Sequence, residues 1–113
     1  MTAIVNSEFS VGETWSMDVT CHDSAGNILN LTGASIKWGL ALQGDVKLDL
    51  SLDNGITLVN AAGGECLITV TPEMQSAAGI ALGFYQHQLR VTLADGSVSD
   101  QFTGTLKAKP SIF

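Results

Sequence analysis

The side chains that most often carry chemistry are scarce in this chain of 113 residues, which has two cysteines and two histidines. Zinc sites are built from Cys and His pairs a few residues apart, and neither Cys-x-x-Cys nor His-x-x-x-His occurs here. The nucleophile motif Gly-x-Ser-x-Gly and the phosphate loop Gly-x-x-x-x-Gly-Lys-Ser/Thr are also absent. We therefore expect no enzyme activity, no metal and no cofactor, and we assign no catalytic or ligand-binding residue.

The two cysteines allow two interpretations. Cys21 and Cys66 both fall in predicted strands, so a disulfide between facing sheets is one interpretation and a pair of buried thiols is the other. The first eight residues have neither the basic start nor the apolar run of a secretion signal, which indicates folding in a reducing cytoplasm. We therefore favour free thiols.

The histidines and one acidic segment indicate structure rather than ligand binding. His87 shares the apolar phase of its strand and is expected to point inward or to lie near a sheet margin, whereas His22 lies beside a turn and is expected to be exposed. The segment that begins at Asp49 resembles a calcium loop, but an EF-hand needs Gly at its sixth and Glu at its twelfth position. Asn54 and Asn60 stand there instead, so we reject calcium and expect Asp49 to lie on the solvated face of a strand.

Period-two alternation is the main structural signal. Trp15, Met17 and Val19 are separated by single polar residues, a pattern typical of a strand with one buried and one solvated face. Trp15 and Trp38 could stack on sugars, but their phase favours core packing. Seven strands are predicted: 14–21, 34–40, 46–52, 56–59, 66–71, 84–93 and 98–107.

Turn and cap signals lie between these strands. The block from Asp23 to Ala34 is rich in Asp, Asn and Gly, which favour chain reversal, and its Asp and Asn are interpreted as turn formers. Asp53-Asn54-Gly55 and Asp95-Gly96 are typical of type I′ hairpins. Thr71-Pro72-Glu73 followed by Gly79 predicts a helix of about two turns near residues 72–78. Together these signals predict an all-β, Ig-like antiparallel β-sandwich of about seven strands.

Length and charge limit the class of protein. Residues 1–113 fit a single β-sandwich domain, with its core at about 9–109. Eleven acidic against five basic residues give a net charge of −6, and the bases are scattered. Nucleic-acid binding needs a basic face and a membrane span needs a long apolar run, so we predict neither partner.

The order of these landmarks resembles a known family. The strand after Val11-Gly12-Glu13, the block Asp23-Ser24-Ala25-Gly26-Asn27, the helix start Thr71-Pro72-Glu73 and the turn Ala94-Asp95-Gly96 follow one another. This order is similar to that of the Ig-like N-terminal domain of phage baseplate upper proteins and of similar small phage or prophage tail modules, over about residues 9–109. Baseplate upper proteins continue into long further regions, and this sequence stops instead.

The resemblance implies a virion structural protein of a tail, baseplate or fibre, made in the host cytoplasm and bringing no catalytic residues. The implied partners are other virion structural proteins, in a homo-oligomer or a ring or fibre assembly. The alternative is a carbohydrate- or ligand-binding β-sandwich. The apolar ends Ile4-Val5 and Ile112-Phe113 could add to a partner's sheet. Trimming residues 1–8 or 110–113 is therefore predicted to weaken assembly more than folding.

Overall fold

The computed structural model describes residues 3–110, which form nine strands and one short helix. The elements are β1 (Ala3–Ile4), β2 (Ser7–Ser10), β3 (Trp15–Thr20), β4 (Ser35–Leu42), β5 (Asp45–Leu52), β6 (Gly55–Asn60), β7 (Glu65–Val70), α1 (Pro72–Ala78), β8 (Gly83–Thr92) and β9 (Val98–Lys109).

The strands form one curled sheet with two layers. Their order is β1-β9-β8-β4-β5-β6-β7-β3, and β2 also pairs with β9. The path turns from one layer to the other where β5 and β6 pair over only two residue pairs. Trp15 of β3 and Trp38 of β4 are not ladder neighbours, yet their ring centroids lie 5.7 Å apart. The smaller layer, β6-β7-β3, therefore covers the larger layer, β1/β2-β9-β8-β4-β5.

This arrangement is an immunoglobulin-like β-sandwich. The smaller layer corresponds to strands B, E and D of that fold. The larger layer corresponds to strands C, C′, F and G, with β8 as strand F. The Tyr85 hydroxyl, near the start of β8, donates to Ala81 O at 2.9 Å and accepts from Ala81 N at 3.0 Å. A tyrosine at this corner that bonds upstream backbone is a hallmark of these sandwiches. The predicted fold class is thus confirmed.

All seven predicted strands and the helix are present, but the strand count and the antiparallel description need correction. Residues 3–10 add β1 and β2, which run parallel to β9. They escaped prediction because Ala3, Ile4 and Val5 are consecutive apolar residues without alternation. The apolar end Ile4-Val5 is already paired within the chain's own sheet, where Val5 N donates to Thr103 O at 2.8 Å. Ile112-Phe113 lies outside the described residues.

The turns differ in type from the prediction at two places. At Asp95-Gly96 only Gly96 has a positive φ, 90°, and Leu93 N donates to Ser97 O, so the loop has three residues rather than a type I′ pair. Asp53 and Gly55 have positive φ, but Asn54 between them does not, and the chain crosses between the layers there. The backbone at residues 53–55 therefore carries the chain from one layer to the other and does not form a simple hairpin.

The block after β3 behaves as predicted. Asp23 Oδ1 accepts hydrogen bonds from Ala25 N and Asn27 N, both at 2.9 Å. Asn30 Oδ1 accepts from Thr32 N at 2.9 Å. These side chains replace backbone partners within the reversal, as Asx turns do. Turn formation therefore accounts for them.

Helix α1 fixes the turn that leads into β3. Thr71 Oγ1 accepts from Met74 N at 3.2 Å, and Gly79 ends the helix at φ 68°. The buried Gln75 accepts from Gly12 N at 2.8 Å and donates to Glu13 O at 2.7 Å. Its amide thus satisfies both a donor and an acceptor of the β2–β3 connection.

Candidate functional site: the outer face of the larger layer

The centre of the larger layer presents an uncharged surface away from the core. Pairing places Gly39 opposite Gln88 and Ala41 opposite Gln86, and the next strand adds Thr103 and Thr105. Because alternate residues of a strand face the same side, the small and amide side chains form one continuous patch. We call this patch the outer face; its members are Gly39, Ala41, Gln86, Gln88, Thr103 and Thr105.

Two apolar side chains border the outer face. A groove of about 480 Å³ crosses it, between Ile4 and Asn6 on one side and Val46 on the other. Ile4 is 77% exposed and Val46 is 67% exposed. Large exposed apolar side chains around a neutral sheet are typical of a surface that another molecule covers. Gly39 and Ala41 line this groove, and the groove stays open there because neither residue has a long side chain.

Charged side chains lie at the ends of this face. At one end Arg90 Nε donates to Asp100 Oδ1 at 2.7 Å, and the Arg90 guanidinium lowers the pKa of Asp100. At the other end Lys107 Nζ lies 5.5 Å from the centre of the exposed Phe84 ring. Exposed pairs of this kind contribute little stability, so their effect is to surround the neutral centre with charge.

The rim that carries Ile4 is fixed by a buried histidine. The Trp38 indole N–H donates to His87 Nδ1 at 3.3 Å, so the proton of the neutral ring lies on Nε2, which donates to Val5 O at 2.7 Å. A Cβ on Gly104, opposite His87 in the ladder, would overlap the Val5 carbonyl oxygen. Glycine there lets the N-terminal segment approach the core.

His87 also occupies a notable position of the fold. In antibody domains the residue two after the corner tyrosine is a cysteine that bonds to strand B beside a buried Trp. Here that residue is His87, whose ring lies edge-on to Trp38 at 6.0 Å and 5.1 Å from Phe102. Burial lowers the pKa of His87, opposed by its bond to Val5. Of the two expected placements of His87, the structure shows the inward one, with the ring buried and bonded on both sides.

Cys21 and Cys66 are buried thiols in contact with each other. Cys21 and Cys66 are 0% and 1% exposed. Both belong to the smaller layer, where Cys66 pairs with Val19, so they cannot link the two layers. Contact with the Cys66 sulfur, together with burial, raises the pKa of the Cys21 thiol, which makes it a poor nucleophile.

The other sequence candidates remain apart from one another. Trp15 and Trp38 are 8% and 0% exposed, which confirms them as core residues. His22 and Asp49 are exposed, as predicted. Among residues 3–110, no three side chains of His, Cys, Asp or Glu lie close enough together to hold a metal ion. The helix found in that range is too short and too polar to span a bilayer.

Sequence reasoning missed the outer face because none of its members has a chemical signature. Gln, Thr, Gly and Ala at alternate positions predict only a solvated strand face. The available signal was the lack of charge at 39, 41, 86, 88, 103 and 105, in strands whose other outward residues include Lys37 and Arg90.

Comparison with known proteins identifies no family for this chain. No family model matches the chain, and no curated protein matches it. Among solved structures, the crystal structure of CopC from Methylosinus trichosporium OB3b is similar with a TM-score of 0.46 and 12% identity, covering 96% of this chain and 89% of that chain. The strand order and the hydrogen bond of Tyr85 to Ala81 identify the fold as an immunoglobulin-like sandwich.

Proposed function

We propose that the chain is a phage or prophage virion structural protein that acts by protein–protein assembly. The observation that carries the assembly role is the outer face, a neutral groove between Ile4 and Val46. Cores of protein interfaces are depleted in charge, and their rims are polar or charged, which is the distribution found here. The attribution to a phage tail, baseplate or fibre is supported by the resemblance in the order of turns and caps.

A sugar-binding role has less support. Stacking on a sugar needs an exposed aromatic face, and Trp15, Trp38 and Tyr85 are buried. Phe84 is the one exposed aromatic residue within 3–110, and Lys107 lies over its ring. Assembly is therefore the function we propose.

The test is incorporation into particles. Phage particles induced from the strain that encodes the chain are purified by density, and the chain is quantified by mass spectrometry. We expect the wild-type chain in stoichiometric amount. Gln86→Lys places a charge at the centre of the outer face and is expected to lower incorporation at least about tenfold, because a buried unpaired charge is costly.

Thr57→Lys is the matched control, since Thr57 is likewise an exposed strand residue but belongs to the smaller layer. It is expected to leave incorporation unchanged. Absence of the wild-type chain from particles would refute the virion role. Equal loss in both variants would refute the outer face as the interface. A tryptophan-fluorescence response to sugars would favour the alternative function.

A further inference from the structure

The outward edge of β3 has no neighbouring strand within residues 3–110. β3 pairs along its whole length with β7, from Trp15 opposite Val70 to Thr20 opposite Glu65, and it ends the strand order. In constant-type immunoglobulin domains strand A lies beside strand B. Here β1 and β2 pair with β9 instead, so no described residue fills that position.

The hydrogen bond of Cys21, the residue after β3, shows which backbone groups of β3 point to the open edge. Cys21 N donates to Gly64 O at 2.8 Å, towards the β7 side. Because backbone groups alternate in direction along a strand, the N–H and C=O of Ser16, Asp18 and Thr20 point to the open side. All three residues are exposed.

At His22, just beyond β3, the Gln101 side chain makes the two hydrogen bonds that an added strand would make. His22 N donates to Gln101 Oε1 at 2.9 Å, and Gln101 Nε2 donates to His22 O at 3.0 Å. Gln101 is the extra residue of a bulge in β9, where the pairing passes from Phe102 to Asp100. Bulges redirect side chains in this way. The Gln101 amide thus pairs with His22 as a peptide group would.

A cleft lies alongside the same edge. It measures about 360 Å³, and its apolar lining includes Val5, Met17, Val19 and Phe102. Met17 and Val19 point between the layers but are only half-buried. The apolar side chains of an added strand would cover them, which is how strand addition gains specificity.

The open parts of β5 and β6 are less suited to pairing than the edge of β3. The open part of β5 carries Asp45, Lys47 and Asp49, and the pairing of β6 with β7 is irregular between Leu58 and Asn60. Charges and bulges are the usual protection of edge strands. The six residues of β3 contain one charge, no proline and no bulge.

We propose that the open edge of β3 binds an extended segment of a partner protein as an added strand. The segment would alternate apolar with polar residues and carry Lys or Arg near Asp18. Asp18 and Asp23 line the cleft, its lining contains neither Lys nor Arg, and the chain carries a net charge of −6. The site recognises a peptide and is separate from the outer face.

A second copy of β3 fits less well. Full antiparallel overlap of two Trp15–Thr20 strands places Met17 opposite Asp18, so a core-facing residue meets a solvent-facing one. A shift by one residue in either direction leaves five pairs: one direction sets Asp18 opposite Asp18, which repels, and the other sets Asp18 opposite Ser16, which supplies no cation. The geometry and the charge both favour a different, basic partner.

The test uses a capped hexapeptide of alternating Val and Thr with one central Lys, titrated into the full chain and followed by amide NMR. We expect shift changes and slowed hydrogen exchange at Ser16, Asp18 and Thr20. Ser16→Pro removes one N–H on the open side and is expected to weaken binding about fivefold, the effect of one hydrogen bond. Ser16→Ala keeps that N–H and is expected to bind normally.

Asp18→Lys tests the charge without altering the backbone. It is expected to weaken binding of the Lys peptide and to strengthen binding of a peptide with Glu at that place. Absence of shifts at β3, equal binding by both Ser16 variants, or self-pairing of β3 without peptide would overturn the proposal. Gln86→Lys should leave peptide binding intact. The proposal for the outer face and the proposal for the β3 edge can therefore be refuted independently.

Discussion

At the scale of single residues, amide and imidazole side chains join segments that are distant in sequence. Gln75, Gln101 and His87 each bond backbone of another element, and every buried side-chain polar atom in the described residues has a partner. Buried polar groups without partners are costly, so these bonds specify one arrangement of the segments. The His87 ring can fill both of its bonds only in the neutral form with the proton on Nε2.

His87 should therefore make stability depend on pH. Burial lowers its native pKa, so the unfolded chain takes up a proton near pH 6.5 before the native chain does. The free energy of unfolding is fully retained above that pH and falls below it, by up to about 1.4 kcal/mol per pH unit, until the native pKa is reached. Urea unfolding from pH 7.5 to 5 would measure the slope. His87→Gln should reduce it and His22→Gln should keep it; an unchanged slope in His87→Gln would contradict the assignment.

At the scale of elements, the N-terminal segment belongs to the fold. β1 and β2 extend the larger layer along β9, and Phe9 of β2 is buried. The Val5 carbonyl oxygen accepts a hydrogen bond from His87 Nε2. The same segment supplies Ile4 to the outer face. We therefore expect its removal to affect both folding and the candidate interface, whereas the sequence predicted that trimming residues 1–8 weakens assembly more than folding.

Deletion of residues 1–8 should therefore lower the free energy of unfolding by about 2–4 kcal/mol, since ladder bonds are lost and His87 Nε2 loses its acceptor. Denaturant unfolding would measure the loss. Ile4→Ser is the matched control, because a side chain that is 77% exposed adds little to stability. A truncated chain as stable as the full one would show that the segment does not support the fold.

At the scale of the whole molecule, the aromatic core joins the two layers into one cooperative unit. The rings of Phe9, Trp15, Trp38, His87 and Phe102 form a continuous series with centroid separations of 5.1–6.4 Å. Both cysteines lie within the same buried cluster. Access to either thiol therefore requires the layers to separate, and thiol labelling reports global opening.

An aromatic disulfide reagent should consequently react with two thiols per chain in denaturant and with almost none in native buffer. The intact mass without alkylation should be that of the reduced chain. A mass lower by two hydrogens would contradict the free thiols, and rapid labelling of one cysteine in native buffer would show local opening. Cys66→Ala distinguishes the two sites.

The sequence by itself determined the elements of this protein, because alternation, Asx turns and helix caps are local physical signals. Seven strands, helix α1 and the burial of Trp15 and Trp38 follow from such signals. Period two shows which face of a strand is buried but not which strand lies beside it.

Only the tertiary structure decided that residues 3–10 pair with β9, that Gln101 reaches His22 and that the β3 edge stays open. It also brought the neutral residues of three strands into the outer face. These contacts join residues up to about a hundred positions apart, and local preference carries no information on partners at that separation.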